Sequence, residues 1–127
     1  MKLSLAFCLV SLSAGVAAAS ADSASPLGEW SRGDGIARVR IEPCGQRLCA
    51  INTWIKPGVG DEKVGDRLVL DVLPAGASAF KGKAFDPKRN LTFTFHMDVG
   101  DRSMTTRGCM VAGLVCKDVN WTRASSE

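Results

Sequence analysis

From Gly28 onward the chain alternates apolar and polar residues with a period of two, and nothing else in it limits the fold as strongly. Over residues 91–98 (LTFTFHMD), Leu91, Phe93, Phe95 and Met97 share one side, and Thr92, Thr94, His96 and Asp98 the other. Successive side chains of a strand point to opposite faces, so this is the pattern of a half-buried β-strand. Residues 36–42 (IARVRIE) alternate equally well, with Ala37, Val39 and Ile41 opposite Arg38 and Arg40. Further runs cover residues 28–32, 48–55, 68–72, 78–85, 102–110 and 114–123, and no segment after residue 27 carries a helical period.

Turn signals separate these eight runs: Gly33-Asp34-Gly35, Pro43 to Gln46, a long Gly- and Asp-rich stretch over residues 56–66, Pro74-Ala75-Gly76, Asp86 to Asn90, Val99-Gly100-Asp101 and Ala112-Gly113. Closely spaced hairpins with one apolar face per strand make an antiparallel meander. A meander must hide its edges, and closure on itself removes them, so the expected fold is all-β, an eight-stranded antiparallel up-and-down barrel. A sandwich is the alternative that alternation alone leaves open.

The N-terminus adds a second constraint. Met1-Lys2 precedes an uncharged run from Leu3 to Ala19, and two small-x-small sites end it, Ala17-Ala18-Ala19 and Ala19-Ser20-Ala21. This is the layout of a signal peptide over residues 1–21. An anchoring span fits less well, because the run is diluted by Ser and Gly and lacks a basic stop-transfer flank; no stable membrane span is expected. Residues 22–27 read as a flexible leader, 28–123 as one barrel domain and 124–127 as a tail. The expected location is the periplasm of a Gram-negative bacterium, or outside the cell.

Export explains the cysteines. Cys8 leaves with the signal, and four remain in two short-range pairs, Cys44 with Cys49 and Cys109 with Cys116. An oxidising compartment lets such pairs staple hairpins. About a two-residue turn at Ala112-Gly113, Cys109 falls directly opposite Cys116, within disulfide range. Zinc is the rival, but only the first pair has the spacing of a zinc knuckle.

Two more features belong together. The first strand holds Gly28-Glu29-Trp30, a Gly-x-Trp, and the last holds Trp121-Thr122-Arg123. This arrangement resembles the calycin barrels, in which a first-strand Gly-x-Trp packs under a basic side chain from the last strand. The resemblance implies that Trp30 and Arg123 meet at a barrel end, where a guanidinium on an indole gains cation–π attraction. The chain is also similar to a bacterial family of small exported proteins, domain of unknown function 2147. The likeness rests on Gly28-x-Trp30, residues 37–45 (ARVRIEPCG) followed by Leu48-Cys49, Phe85-Asp86-Pro87, Arg107-Gly108-Cys109 and Trp121-Thr122-Arg123. Ala50 and Phe85 depart from its commonest residues, a Gly and a Tyr. The family implies a fold and a location, and no activity.

The formal net charge of +3, from 16 basic and 13 acidic residues without a basic cluster, argues against nucleic acid as a partner. His96 is the only histidine and sits on a polar strand face, with no nucleophile motif or metal spacing to accompany it. The chain is therefore read as a non-enzyme that needs no cofactor and no metal. Arg32-Gly33-Asp34 spells an adhesion tripeptide, but Gly-Asp-Gly is explained by a turn. Loops on a rigid scaffold carry recognition, which singles out Lys56, Asp61, Glu62, Lys63 and Asp86 as candidate binding residues. Arg38 and Arg40 would join them if they faced into the barrel, although their alternation with Ala37, Val39 and Ile41 places them outside. The expected function is binding, either of an apolar or amphipathic small molecule within the barrel or of an envelope protein. The second form resembles small exported protease inhibitors and implies a core packed solid by Phe80, Phe93, Phe95, Met97, Met104 and Trp121.

Overall fold

A computed structural model describes residues 6, 10, 11, 24–110 and 113–124. Eight strands follow in order: β1 (Gly28–Arg32), β2 (Ala37–Cys44), β3 (Arg47–Ile55), β4 (Arg67–Pro74), β5 (Ala79–Asp86), β6 (Leu91–Val99), β7 (Ser103–Met110) and β8 (Val115–Arg123). Each pairs antiparallel with its sequence neighbours, and β1 pairs with β8 to close the barrel. The alternating runs thus become strands within one to two residues of their expected limits. No helix among the described residues is long and apolar enough to cross a membrane.

Closure makes two ends. The β2–β3, β4–β5 and β6–β7 turns and the two chain termini of the domain gather at one; the β1–β2, β3–β4, β5–β6 and β7–β8 connections gather at the other. The seam between β1 and β8 is short, with Trp30 opposite Arg123, Ser31 opposite Thr122 and Arg32 opposite Trp121. A register shift between Arg38 and Val39 bends β2 against β3. β3 runs beside β4 only from Leu48 to Ile51. The connection over residues 56–66 then leaves the wall, anchored by backbone bonds from Asn52 to Asp66 and from Gly65 to Asn52.

The core is the inner face of the strands. Trp30, Val39, Ile41, Leu70, Ala84, Met97, Val99 and Met104 are buried together. Both cysteine pairs are disulfides. Cys109 and Cys116 are directly opposed, with Cα atoms 4.1 Å apart. The turn proposed for Ala112-Gly113 lies partly outside the described residues. Cys44 and Cys49, 5.7 Å apart, bridge diagonally, because β3 already starts at Arg47 and places Glu42 opposite Cys49.

One end of the barrel is sealed. Trp30 is fully buried, and its Nε1 donates to the Pro26 carbonyl at 2.9 Å. The Arg123 guanidinium lies 4.1 Å from the indole centroid and donates to the carbonyls of Asp101, Leu27 and Ser25. Residues 24–27, expected to belong to a flexible leader, are therefore held against the barrel by these bonds. Gly28 has φ +121°, and a Cβ there would come within 3.0 Å of Arg123 Nη1. The glycine of the Gly-x-Trp thus serves both the backbone and the guanidinium. Trp121, grouped in the sequence with this end, instead sits in the inner wall opposite Arg32 and donates from Nε1 to Thr106 Oγ1 at 3.0 Å.

Candidate functional site

Protein interiors pack with few voids larger than a water molecule. This barrel departs from that rule towards its open end, where a cavity of about 400 Å³ remains. Its wall is built by residues of inward parity: Val39 and Ile41 on β2, Leu68 and Leu70 on β4, Phe93, Phe95 and Met97 on β6, and Val119 and Trp121 on β8. Met104 is packed in the core and Phe80 packs against it from its edge, but Met97, Phe93, Phe95 and Trp121 lie along the cavity wall and leave its centre empty. The expected solid core is corrected on this point. Side-chain size accounts for it, since Ala50 and Gly108 supply almost no volume where they face inward. The Phe93 ring occupies the space over Gly108, and a Cβ there would meet Phe93 Cε2 at 3.0 Å.

Charge gathers at the rim. Arg32, the last inward position of β1, reaches the connection between β3 and β4 and donates from both terminal nitrogens to Glu62, at 2.9 and 2.8 Å. Its Nε donates to Asp34 Oδ2 at 2.8 Å. The hydrogen bonds from Arg32 hold the Glu62 carboxyl below the usual carboxylate range despite partial burial, and the same bonds raise the Arg32 guanidinium.

A second set of contacts joins the same connection to the β5–β6 turn. Asp86 is buried at the end of β5. Its Oδ1 accepts from the backbone N–H of Lys88 and of Arg89, and its Oδ2 from the Arg89 side chain at 3.0 Å. Asp-Pro starts this turn because the carboxylate caps it. Arg89 also donates to Asp61 Oδ2 at 3.0 Å, and Lys88 Nζ to the Asp61 carbonyl and to Asp66 Oδ2. The Lys88 ammonium lowers the Asp66 carboxyl, and Asp86 raises the Arg89 guanidinium. The 56–66 connection is thus latched across one side of the mouth from two directions.

The loop residues singled out from sequence divide accordingly. Glu62 and Asp86 line the cavity, and Asp61 ties the latch from outside. Lys56 and Lys63 are exposed at the same end without an acidic partner among the described residues. Arg38 and Arg40 are on the outer face, Arg38 over Trp54 at 5.7 Å and Arg40 beside Glu29 at 3.3 Å, so neither belongs to the site. His96 is also outside; its Nε2 lies 3.1 Å from Asp98 Oδ2 without hydrogen-bond alignment. Arg32, Arg89, Asn52, Thr106 and Lys117 were not foreseen. Arg32 carried a usable signal, because it shares parity with Trp30, but its tripeptide context pointed to a turn. Among the described residues no cluster of His, Cys, Asp and Glu could hold a metal ion.

Fold and site together define a small disulfide-stapled β-barrel, sealed at one end by an arginine on a tryptophan and hollow towards the other. Over residues 28–123 the chain matches the family described as an uncharacterized protein conserved in bacteria (DUF2147), and it belongs to that family. No curated protein and no solved structure matches it.

Proposed function

We propose that this protein is a non-catalytic binding protein that takes an apolar or amphipathic small molecule into its barrel after export to the periplasm. The observation that carries the reading is the cavity of about 400 Å³. Small-molecule sites occupy roughly 300–1,000 Å³ and are lined mostly by apolar side chains with a few placed polar groups. Here the apolar wall is deep and the polar groups stand at the mouth, the arrangement that suits a guest with an apolar body. A partner-binding module with a solid core fits the hollow barrel less well.

Support for binding over catalysis comes from the rim. Glu62, Asp66 and Asp86 are each engaged by an arginine or a lysine, and the sole histidine is outside the barrel. The two disulfides and the bacterial family support export.

Titration with an environment-sensitive anilinonaphthalene probe tests the reading. Saturable micromolar binding is expected, displaced by lipid extracted from native envelope and weakened in Val39→Trp, which fills the cavity. Absence of saturable binding by the wild-type protein would overturn it. Native mass spectrometry of protein purified from its own periplasm would then identify the guest.

A further inference from the structure

The open end carries a second pattern that the cavity does not explain. Leu114 and Val115 at the β7–β8 hairpin are 81% and 62% exposed, and Val64 on the 56–66 connection is 63% exposed. Met110 and Leu91, at the rim ends of β7 and β6, are also exposed. These side chains continue the apolar lining of the cavity outwards, since Met110 and Val115 belong to both. Exposed apolar residues scattered singly need no explanation, whereas a set gathered around one opening marks an interaction surface.

Charge selects the partner. Every acid at this end is already in an ion pair: Asp34 and Glu62 with Arg32, Asp61 and Asp86 with Arg89, and Asp66 with Lys88. Lys56, Lys63, Arg67 and Lys117 are at the same end with no acid within ion-pair distance among the described residues. At the sealed end that excess is absent, since among the described residues the acids Glu42 and Asp101 lack an ion-pair partner and so do the cations Arg102 and Arg123. Of the two ends, the opening therefore carries the uncompensated net positive charge among the described residues, beside the exposed side chains of Leu114, Val115 and Val64.

We propose that the open end docks on the surface of an anionic lipid bilayer, with Leu114, Val115 and Val64 entering the headgroup region and the four unpaired cations meeting lipid phosphates. Apolar side chains interleaved with Lys and Arg are the chemistry of interfacial attachment. Each cation brought to an anionic leaflet raises affinity roughly fivefold. Docking in this orientation sets the cavity mouth on the phase in which an apolar guest is dissolved. The route of exchange rests on the cavity reading; attachment itself does not.

Co-sedimentation of the full mature chain with phosphatidylethanolamine–phosphatidylglycerol vesicles, against pure phosphatidylcholine vesicles, tests the surface. Attachment to the anionic vesicles is expected, falling with added salt. Leu114→Glu with Val64→Glu should reduce it at least tenfold (about 1.4 kcal/mol) by removing the wedge. Lys56→Glu with Lys63→Glu should reduce it at least as much on charge grounds. All four positions are outside the cavity wall, so probe binding in solution should be unchanged in these variants and reports that they are folded. Equal attachment to both vesicle types, or attachment indifferent to both pairs of substitutions, would overturn the proposal. So would stable capture of an envelope protein, abolished by Leu114→Glu, from a chain that binds no vesicle. A wild-type chain that binds vesicles but no probe would remove the cavity reading and leave the docking surface supported.

Discussion

The two ends of this barrel use the same side chain in opposite ways. At the sealed end, the Arg123 guanidinium lies on an indole and donates to three backbone carbonyls. At the open end, the Arg32 guanidinium is satisfied by two carboxylates, Glu62 and Asp34. Carbonyls and aromatic faces neither titrate nor exchange partners with dissolved ions, so the first arrangement persists across pH and salt. Partly exposed carboxylate pairs are screened by salt and lost in acid. The acceptor, and not the arginine, distinguishes a permanent plug from a releasable latch.

The sharpest way to break this comparison is at the plug. Trp30→Ala should cost about 3–5 kcal/mol, the range for removing a large buried aromatic side chain. Urea unfolding measures it, and an unchanged midpoint would mean that the sealed end adds nothing to stability.

The disulfides come next, one towards each end. Loss of either should cost about 2 kcal/mol, because each closes only a small loop. Peptide mapping without reduction should recover Cys44 with Cys49 and Cys109 with Cys116. If only the first were important for stability, the open end would be looser than its hairpin implies.

A smaller effect should separate binding from stability within the cavity. Gly108→Val places methyl groups where the Phe93 ring now lies and drives the ring towards the cavity centre. Probe affinity should fall roughly tenfold, about 1.4 kcal/mol, as the displaced ring takes up cavity space. Phe93→Ala should alter the same titration by enlarging the space. Probe affinity unaffected by either change would place the binding site elsewhere.

The smallest effect belongs to the latch. Glu62→Gln should change stability by under about 1 kcal/mol, since the pair is partly in solvent. It should nevertheless quicken probe association in stopped-flow measurements. Arg32 holds the Glu62 carboxyl low, so its contribution is fully present above the unfolded value of about 4.3 and is lost as pH falls through the lower folded value. Wild-type association should therefore quicken only in acid, at pH values below the ordinary carboxylate range. Glu62→Gln should lose that dependence.

Sequence reached the wall of this molecule more easily than its contents. Strand parity is a local property, so Leu91, Phe93, Phe95 and Met97 declared their shared face directly, and Arg38 and Arg40 declared the outside. The Trp30–Arg123 contact was legible through the resemblance to calycin barrels, which sets a first-strand Gly-x-Trp under a basic residue of the last strand. The latch was not legible, because pairing Arg32 with Glu62 depends on how an irregular connection crosses the mouth. The cavity was hidden for a different reason. Phe93, Phe95 and Trp121 could as well have met in the middle; whether they fill the space or line it is decided by rotamers and by the room over Gly108.

The short β1–β8 seam has a consequence for how the molecule comes to exist at all. Seven of the eight strand pairings join sequence neighbours, six through short turns and one through the 56–66 connection, whereas this one joins opposite ends of the domain. Its closure spans the longest stretch of chain of the eight and so carries the largest loop-closure entropy cost. The seam is also written with one residue pair in both orders, Trp30 facing Arg123 and Arg32 facing Trp121. The zipping of three residue pairs therefore delivers the plug's tryptophan, the latch's arginine and a tryptophan of the cavity wall together, so that an unclosed chain has neither end and a closed one has both.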